Sequence, residues 1–320
     1  MLLIGSVIAP TTLFILFYGI ALEIYDCLGL QKGDTFAKAI MIGTGFFASI
    51  SCAMTPIAHT FPIMALGYYE TLTGEAISYI TYMKYSIPIG IILAAIAYGI
   101  LCYVIRKEKH NFLVVFNVDK KWNKQEIISC IIFIGVIICW LITGIWPKVF
   151  AKLNGYGTAL PALIGCILMT VINNCNLKQG LSKGVSWSAI LLCAATLALG
   201  KVINMEEFGV IQVITNFIGT NFEMWEIIAF AVILTNCISN IVTTTLSFNI
   251  FIPAMIAAGC GNPVVGTIAI GIGASLAYVL PSSIAHIALA GSSGWASAKD
   301  MAFYGNILMI LSIIVMGVIL

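Results

Sequence analysis

The sequence predicts an all-α polytopic membrane protein built from inverted repeats with re-entrant hairpins and broken helices. Three observations predict it. First, of 320 residues, 61% are hydrophobic and 9% charged, with a mean hydropathy of +1.06. Soluble domains carry about 25% charged residues, so this chain has too few to cover a water-facing surface. Second, apolar runs long enough to cross a bilayer alternate with apolar runs broken by polar clusters. Third, the polar clusters recur in the same order in the two halves of the chain.

Taken from the N-terminus, residues 1–28 are apolar around a polar centre, "GSVIAPTT", and residues 36–72 are broken around "SCAMTPIAHTFP". A continuous run at 85–105 is long enough to span, since a crossing helix needs about 20 residues. The stretch 106–126 holds Arg106, Lys107, Lys109, Lys120, Lys121 and Lys124 against Glu108, Asp119 and Glu126. Positive loops stay inside, so this one is expected to be cytoplasmic. Spans follow at 126–146 and 157–175, with a shorter apolar stretch at 186–204. Residues 222–258 again have a polar centre, "TNCISNIVTTT"; 262–294 are broken around "LPSSIAHIALAGSSG"; 301–320 form a last span. A membrane segment with a polar centre reads as two half-membrane arms meeting at a tip. Irregular backbone at that depth survives only where protein or a water-filled cavity satisfies its amides.

The two halves repeat. "SVIAPTTL" from Ser6 and "SNIVTTTL" from Ser239 share Ser, Ile, two Thr and Leu in register. Each is followed by a broken helix carrying Ile-Ala-His, 53 residues from Ser6 to His59 and 47 from Ser239 to His286. The domain organisation expected is therefore 1–105 as the remaining part of a first repeat, 106–126 as the cytoplasmic loop and 127–320 as the second repeat. Paired, interrupted apolar segments at matching positions point to the binding site of a secondary transporter. Breaking a helix frees carbonyls, which ligate cations, and amides at half-helix N-termini, which hold anions. Ser, Thr and Asn at the tips add neutral oxygens suited to a small hard cation.

Other chemistries lack their signatures. The net charge is +2, with no acidic or basic tail and no stretch that looks like a nucleic-acid patch, so nucleic acid is not an expected partner. The ten cysteines form no CxxC pair and sit mostly in apolar runs, as small buried hydrophobes do, and no transition-metal site is expected. No GxSxG, HExxH or phosphate-cradling loop occurs, so no enzyme activity and no cofactor are expected. Met1 leads into "LLIGSVIAP" without the basic flank of a cleavable signal.

Several segments carry a resemblance. "CISNIVTTTLSFNIFIPAM" resembles the Ser-Asn-Thr hairpin of the divalent anion/sodium symporter family, and "SWSAILLCAATLALG" resembles that family's Gly-rich segment before it. "FASISCAMTPIAHTFP" and "ASLAYVLPSSIAHIALAGSSGW" resemble its two broken helices, and "YMKYSIPIGIIL" a common helix start. The resemblance implies sodium-coupled transport of a dicarboxylate-like anion and a homodimer with a fixed scaffold. A moving, elevator-like domain would lie in the lipid bilayer, here a bacterial inner membrane. Ser6, Ser51, Ser239 and Asn240 would then hold Na⁺. Thr11, Thr55, His59, Thr243, Thr244, Ser282, Ser283 and His286 would face the substrate. The sequence departs from the family at Val7, where Asn is expected, at Ile8 and Ile241, where Thr is expected, and in the broken helices, where histidines stand near the usual Thr-Pro pair. The first tip also falls so early that the chain reads as lacking N-terminal spans. Two alternatives stand beside the sodium reading: proton coupling through His59 and His286, and a membrane subunit that does not transport.

Overall fold

The computed structural model describes residues 1–106, 123–145, 159–172, 223–259 and 261–320, with Lys178, Ser182 and Gly209 as isolated positions. All regular structure among these residues is helical. In chain order the helices are α1 (Leu2–Gly5), α2 (Pro10–Leu28), α3 (Thr35–Ala53), α4 (Thr60–Thr73), α5 (Tyr79–Ile105), α6 (Lys124–Ile145) and α7 (Ala159–Val171). They continue with α8 (Met224–Cys237), α9 (Asn240–Ala258), α10 (Pro263–Gly273), α11 (Ala285–Ser292) and α12 (Ala298–Ile319). Five of them, α2, α3, α5, α9 and α12, are long and apolar enough to cross a membrane. With the shorter apolar helices α8 and α10, they make the chain a polytopic, integral membrane protein.

The polar clusters interrupt the helices where the sequence says they should. Ser6–Ala9 separates α1 from α2, and Met54–His59 separates α3 from α4. Ile238–Ser239 separates α8 from α9, and Ala274–Ile284 separates α10 from α11. Proline starts α2 and α10, at the one helical position where its missing N–H is not needed. Gly29 and Gly259 end α2 and α9 in the left-handed conformation, which a side chain would strain. Helix α5 begins at Tyr79 rather than near residue 85. The basic loop lies outside the described residues beyond Arg106 and short of Asn123, as do the stretch 186–204 and the Gly-rich segment "SWSAILLCAATLALG".

Two compact units divide the chain. One comprises Met1–Ile77, Tyr82–Val114 and Thr196–Leu320, the other Ser78–Thr81 and Val115–Ala195. In the second unit, α6 packs on α7 at Gly165, where a Cβ would come within 2.6 Å of Val136 Cγ2. The first unit holds all four interruptions. Its contacts are paired: α2 lies on α3 as α9 lies on α10, α1 on α3 as α8 on α10, and α11 on α3 as α4 on α10.

Helices α3 and α10 are the most enclosed; every residue from Gly266 to Gly273 is buried. Without a hydrophobic force between helices in lipid, close approach depends on small residues. A Cβ on Gly271 would lie 3.2 Å from Pro62 Cα, and one on Gly273 would lie 3.1 Å from Ala231 Cβ. A Cβ on Gly305 of α12 would lie 2.7 Å from the Tyr278 carbonyl oxygen, so the last span passes directly against the backbone of the second break. The outward faces of α5 and α12 expose Ile91, Tyr98, Phe303, Ile310, Ile314 and Val318, as lipid contact requires.

Candidate substrate and cation site

The first break is held by the span that follows it. Tyr82 Oη donates to the Ala53 carbonyl at 3.0 Å and Ser86 Oγ to the Met54 carbonyl at 2.6 Å. Thr55, buried, donates from Oγ1 to the Ser6 carbonyl and so ties this break to the first tip. Ser6 Oγ donates back to the Leu3 carbonyl at 2.8 Å. Ser51 donates to the Ala48 carbonyl at 3.2 Å and packs so tightly on Gly5 that a Cβ there would overlap its hydroxyl. Thr11 stands half-buried in the first turn of α2.

The second break is held from the hairpin arm that precedes it. Asn236, 1% exposed, accepts at Oδ1 from the Tyr278 and Val279 amides at 2.6 and 3.0 Å. Its Nδ2 donates to the Val232 and Leu276 carbonyls at 2.8 and 3.0 Å, which uses the whole capacity of the carboxamide. Thr235 Oγ1 donates to the Ala274 carbonyl at 2.7 Å. Ser282 Oγ donates to the Cys237 carbonyl at 3.3 Å, joining the break to the second tip, and Ser283 Oγ to the Leu280 carbonyl at 2.5 Å.

Within the second tip, Thr243 and Thr244 donate to the Ser239 and Asn240 carbonyls at 3.2 and 2.8 Å. Ser239 is exposed. Asn240 differs from every neighbour: it is 1% exposed, yet neither Oδ1 nor Nδ2 has a hydrogen-bond partner. An unpaired buried amide costs about 1–3 kcal/mol on mutational scales, and Ser247 Oγ, two turns along the same helix, is likewise unpaired.

The two breaks are also tied to each other. His59 Nδ1 lies 3.1 Å from Ser275 Oγ, and His286 Nε2 lies 2.7 Å from Ser49 Oγ. Each histidine thus meets a serine from the other broken helix. His59 also touches Cys52, with Sγ 3.4 Å from Nδ1, and meets the Phe61 ring edge-on at 4.1 Å. His286 is fully buried, and its Nδ1 has no partner.

Of the residues singled out from sequence, Ser6 and Thr55 are hydrogen-bonded to each other, Ser282 reaches Cys237 beside the second tip, and His59 and His286 each meet a serine of the other broken helix. Ser51, Thr243, Thr244 and Ser283 bond within their own segments, and the Asn240 side chain bonds to nothing. Sequence reasoning missed Asn236, Tyr82, Ser86, Ser49 and Ser275. A signal existed for the last two: "Ala-Ser-Ile" at 48–50 and "Ala-Ser-Leu" at 274–276 precede their histidines by 10 and 11 residues.

Side-chain caps or capping boxes occur at the starts of α8, α10 and α12, away from the tips and breaks, whereas α3, which also starts away from them, has none. Glu223 with Glu226 and Ser297 with Asp300 form capping boxes, and Asn262 accepts from the Val264 and Val265 amides. The starts of α2, α4, α9 and α11, at the tips and breaks, have no side-chain cap. No side chain caps the first-turn amides of these helices, and the first residue of α2, Pro10, has none to cap.

Comparison with known proteins gives the family. A transporter from Haemophilus influenzae, described as uncharacterized, is 25% identical over 313 residues, covering 93% of this chain and 65% of its own length. The sodium-dependent dicarboxylate transporter SdcS of Staphylococcus saprophyticus is 24% identical over 318 residues, covering 89% of this chain and 60% of its own. SdcS of Staphylococcus aureus is 24% identical over 308 residues, covering 86% of this chain and 58% of its own. The chain thus spans roughly three-fifths of the length of these curated relatives. The family described as "Citrate transporter" matches residues 1–273. That match covers most of the chain, both tips and all of α10, and the chain belongs to the citrate transporter family.

Proposed function

We propose that the protein is a secondary transporter of a di- or tricarboxylate-like organic anion, coupled to Na⁺ and working by an elevator movement in a bacterial plasma membrane. The observation that carries this reading is the set of four uncapped helix starts at the tips and breaks. Each presents the positive end of a half-helix dipole and first-turn amides without a side-chain cap, Pro10 of α2 having no N–H, and such an end suits a carboxylate. The relatives' names, sodium-dependent dicarboxylate transporter, support the same substrate class.

In this reading Thr11, Thr55, Thr243, Thr244, Ser282, Ser283, His59 and His286 line or support the anion site, and Ser239 and Asn240 hold Na⁺ in the second tip. The unpaired Oδ1 of Asn240 fits a hard cation. Ser6 and Ser51 would form a weaker counterpart, since Val7 lacks the amide oxygen and the Ser6 carbonyl is taken by Thr55. Residues 1–105 and 127–320 act as two inverted repeats joined by a cytoplasmic loop at 106–126, and the protein works as a homodimer. The hydrogen bonds joining tips and breaks suit them to move as one body.

Proton coupling is the second reading, favoured by the bare Nδ1 of His286 and by Val7. Reconstitution of the full-length protein in liposomes tests both. We expect uptake of citrate or a four-carbon dicarboxylate driven by an inward Na⁺ gradient at symmetrical pH. Uptake driven only by a proton gradient would replace sodium with protons, and absence of uptake under either gradient would favour a non-transporting subunit.

A further inference from the structure

The reciprocal serine–histidine contacts define the histidines further than their position does. Ser49 Oγ lies 2.6 Å from the Ala277 carbonyl, and Ser275 Oγ lies 2.9 Å from the Gly271 carbonyl. A carbonyl only accepts, so each serine spends its single proton there. The serine oxygen must then accept from the imidazole. His286 consequently carries its hydrogen on Nε2 and His59 carries it on Nδ1. The two histidines hold opposite tautomers, each fixed by the other broken helix. The second nitrogen of each ring, Nδ1 of His286 and Nε2 of His59, is thereby left as the one that can meet a ligand.

We propose that Ser49 and Ser275 are positioning residues of the anion site: each orients the histidine of the opposite broken helix and fixes which ring nitrogen faces the ligand. This rests on the transport reading, in which the histidines belong to that site. Both serines are fully buried, so no water competes for their oxygens from bulk solvent.

The chain has only three histidines, which makes the test direct. Full-length protein with ¹⁵N-labelled histidine, in lipid nanodiscs, should show, beside the His110 signal, two imidazoles with their pyrrole-type nitrogens at opposite positions. The signals are assigned with His59→Gln and His286→Gln. Ser49→Ala should shift the His286 signals and leave His59 in place, and Ser275→Ala should do the reverse. In liposomes each alanine variant should raise KM for the transported anion about 5- to 30-fold, the factor a lost buried hydrogen bond gives, with kcat less affected. Ser49→Thr and Ser275→Thr, which keep the hydroxyl, should restore it. If a threonine variant does not fold, the tautomer shift in the alanine variant still decides the orientation.

Identical tautomers in the two histidines, or serine variants that leave the opposite histidine unmoved, would overturn the proposal. Tautomers that shift while KM holds would overturn its functional half and make the serines ties of structure alone. If the wild type carries no anion, the transport reading fails instead, and the tautomer arm still reports on the serines.

Discussion

The two breaks solve one problem with different side chains. Each exposes backbone polar groups at membrane depth, where no water satisfies them. In the second, a single residue, Asn236 on the arm of the hairpin, makes four hydrogen bonds to the break and to its own helix, with Thr235 adding a fifth. In the first, the work is divided between Tyr82 and Ser86 on α5, and the tip is joined to the break through Thr55 and Ser6. At the position aligned with Asn236, three residues before the matching serine, stands Leu3, which is 88% exposed. The difference teaches that matched helix–break–helix units need matched unpaired backbone, not matched partners for it. It also separates the tips: beside the second, Asn236 and Thr235 on the hairpin arm hold the break and Asn240 stays open, whereas the first is joined to its break through Thr55 on the Ser6 carbonyl.

The largest expected effect comes from cutting the concentrated anchor. Asn236→Leu keeps the side-chain volume close but bares the Tyr278 and Val279 amides and the Leu276 carbonyl. At about 1–3 kcal/mol for each buried group left unpaired, the loss should exceed about 3 kcal/mol and prevent recovery of folded protein in detergent. Folded yield and thermal unfolding by size exclusion check this; a melting temperature within a few degrees of wild type would deny the anchor its role.

The divided anchor should break more gently. Tyr82→Phe and Ser86→Ala each remove one donor from one carbonyl and should each cost about 1–3 kcal/mol, with folded protein retained. Equal losses for Asn236→Leu and Ser86→Ala would erase the contrast between the breaks. Gly5→Ala sharpens it on the other side, because a methyl there presses on Ser51 and Leu13. It should cost about 1–3 kcal/mol as overpacking does, whereas the second tip already carries Ile238 at the matching place.

The smallest effect on stability, with the largest on ligand dependence, is expected at Asn240. Asn240→Ala removes two buried atoms that have no partner, so stability without ligand should hold within about 1 kcal/mol or rise. Under the sodium reading, the stabilisation that Na⁺ gives the wild type should vanish in Asn240→Ala and persist in Val7→Ala. Equal sodium responses in the two variants would remove the asymmetry between the tips.

The breaks and tips were legible because polar residues in apolar runs have no other use at that depth, and Ser6, Thr55, His59, Ser239 and His286 announced them. What satisfies each break was not legible. Tyr82 and Ser86 lie 29 and 32 residues from the carbonyls they serve, and Asn236 lies 42 from Tyr278, so periodicity along one helix says nothing about them. Asn236 looked like part of the tip motif and belongs to the break. The serines that meet the histidines were hidden for the same reason, since Ser49 and His286 are 237 residues apart.

The approach of α12 to the second break has a consequence for insertion between them. With Gly305 against the Tyr278 carbonyl, neither a lipid tail nor a water fits between the last span and the break at that point. At this point backbone meets backbone, and Ser312 adds a contact to the Tyr278 hydroxyl at 3.5 Å. A side chain larger than glycine at position 305 would have to push the last span away from the break.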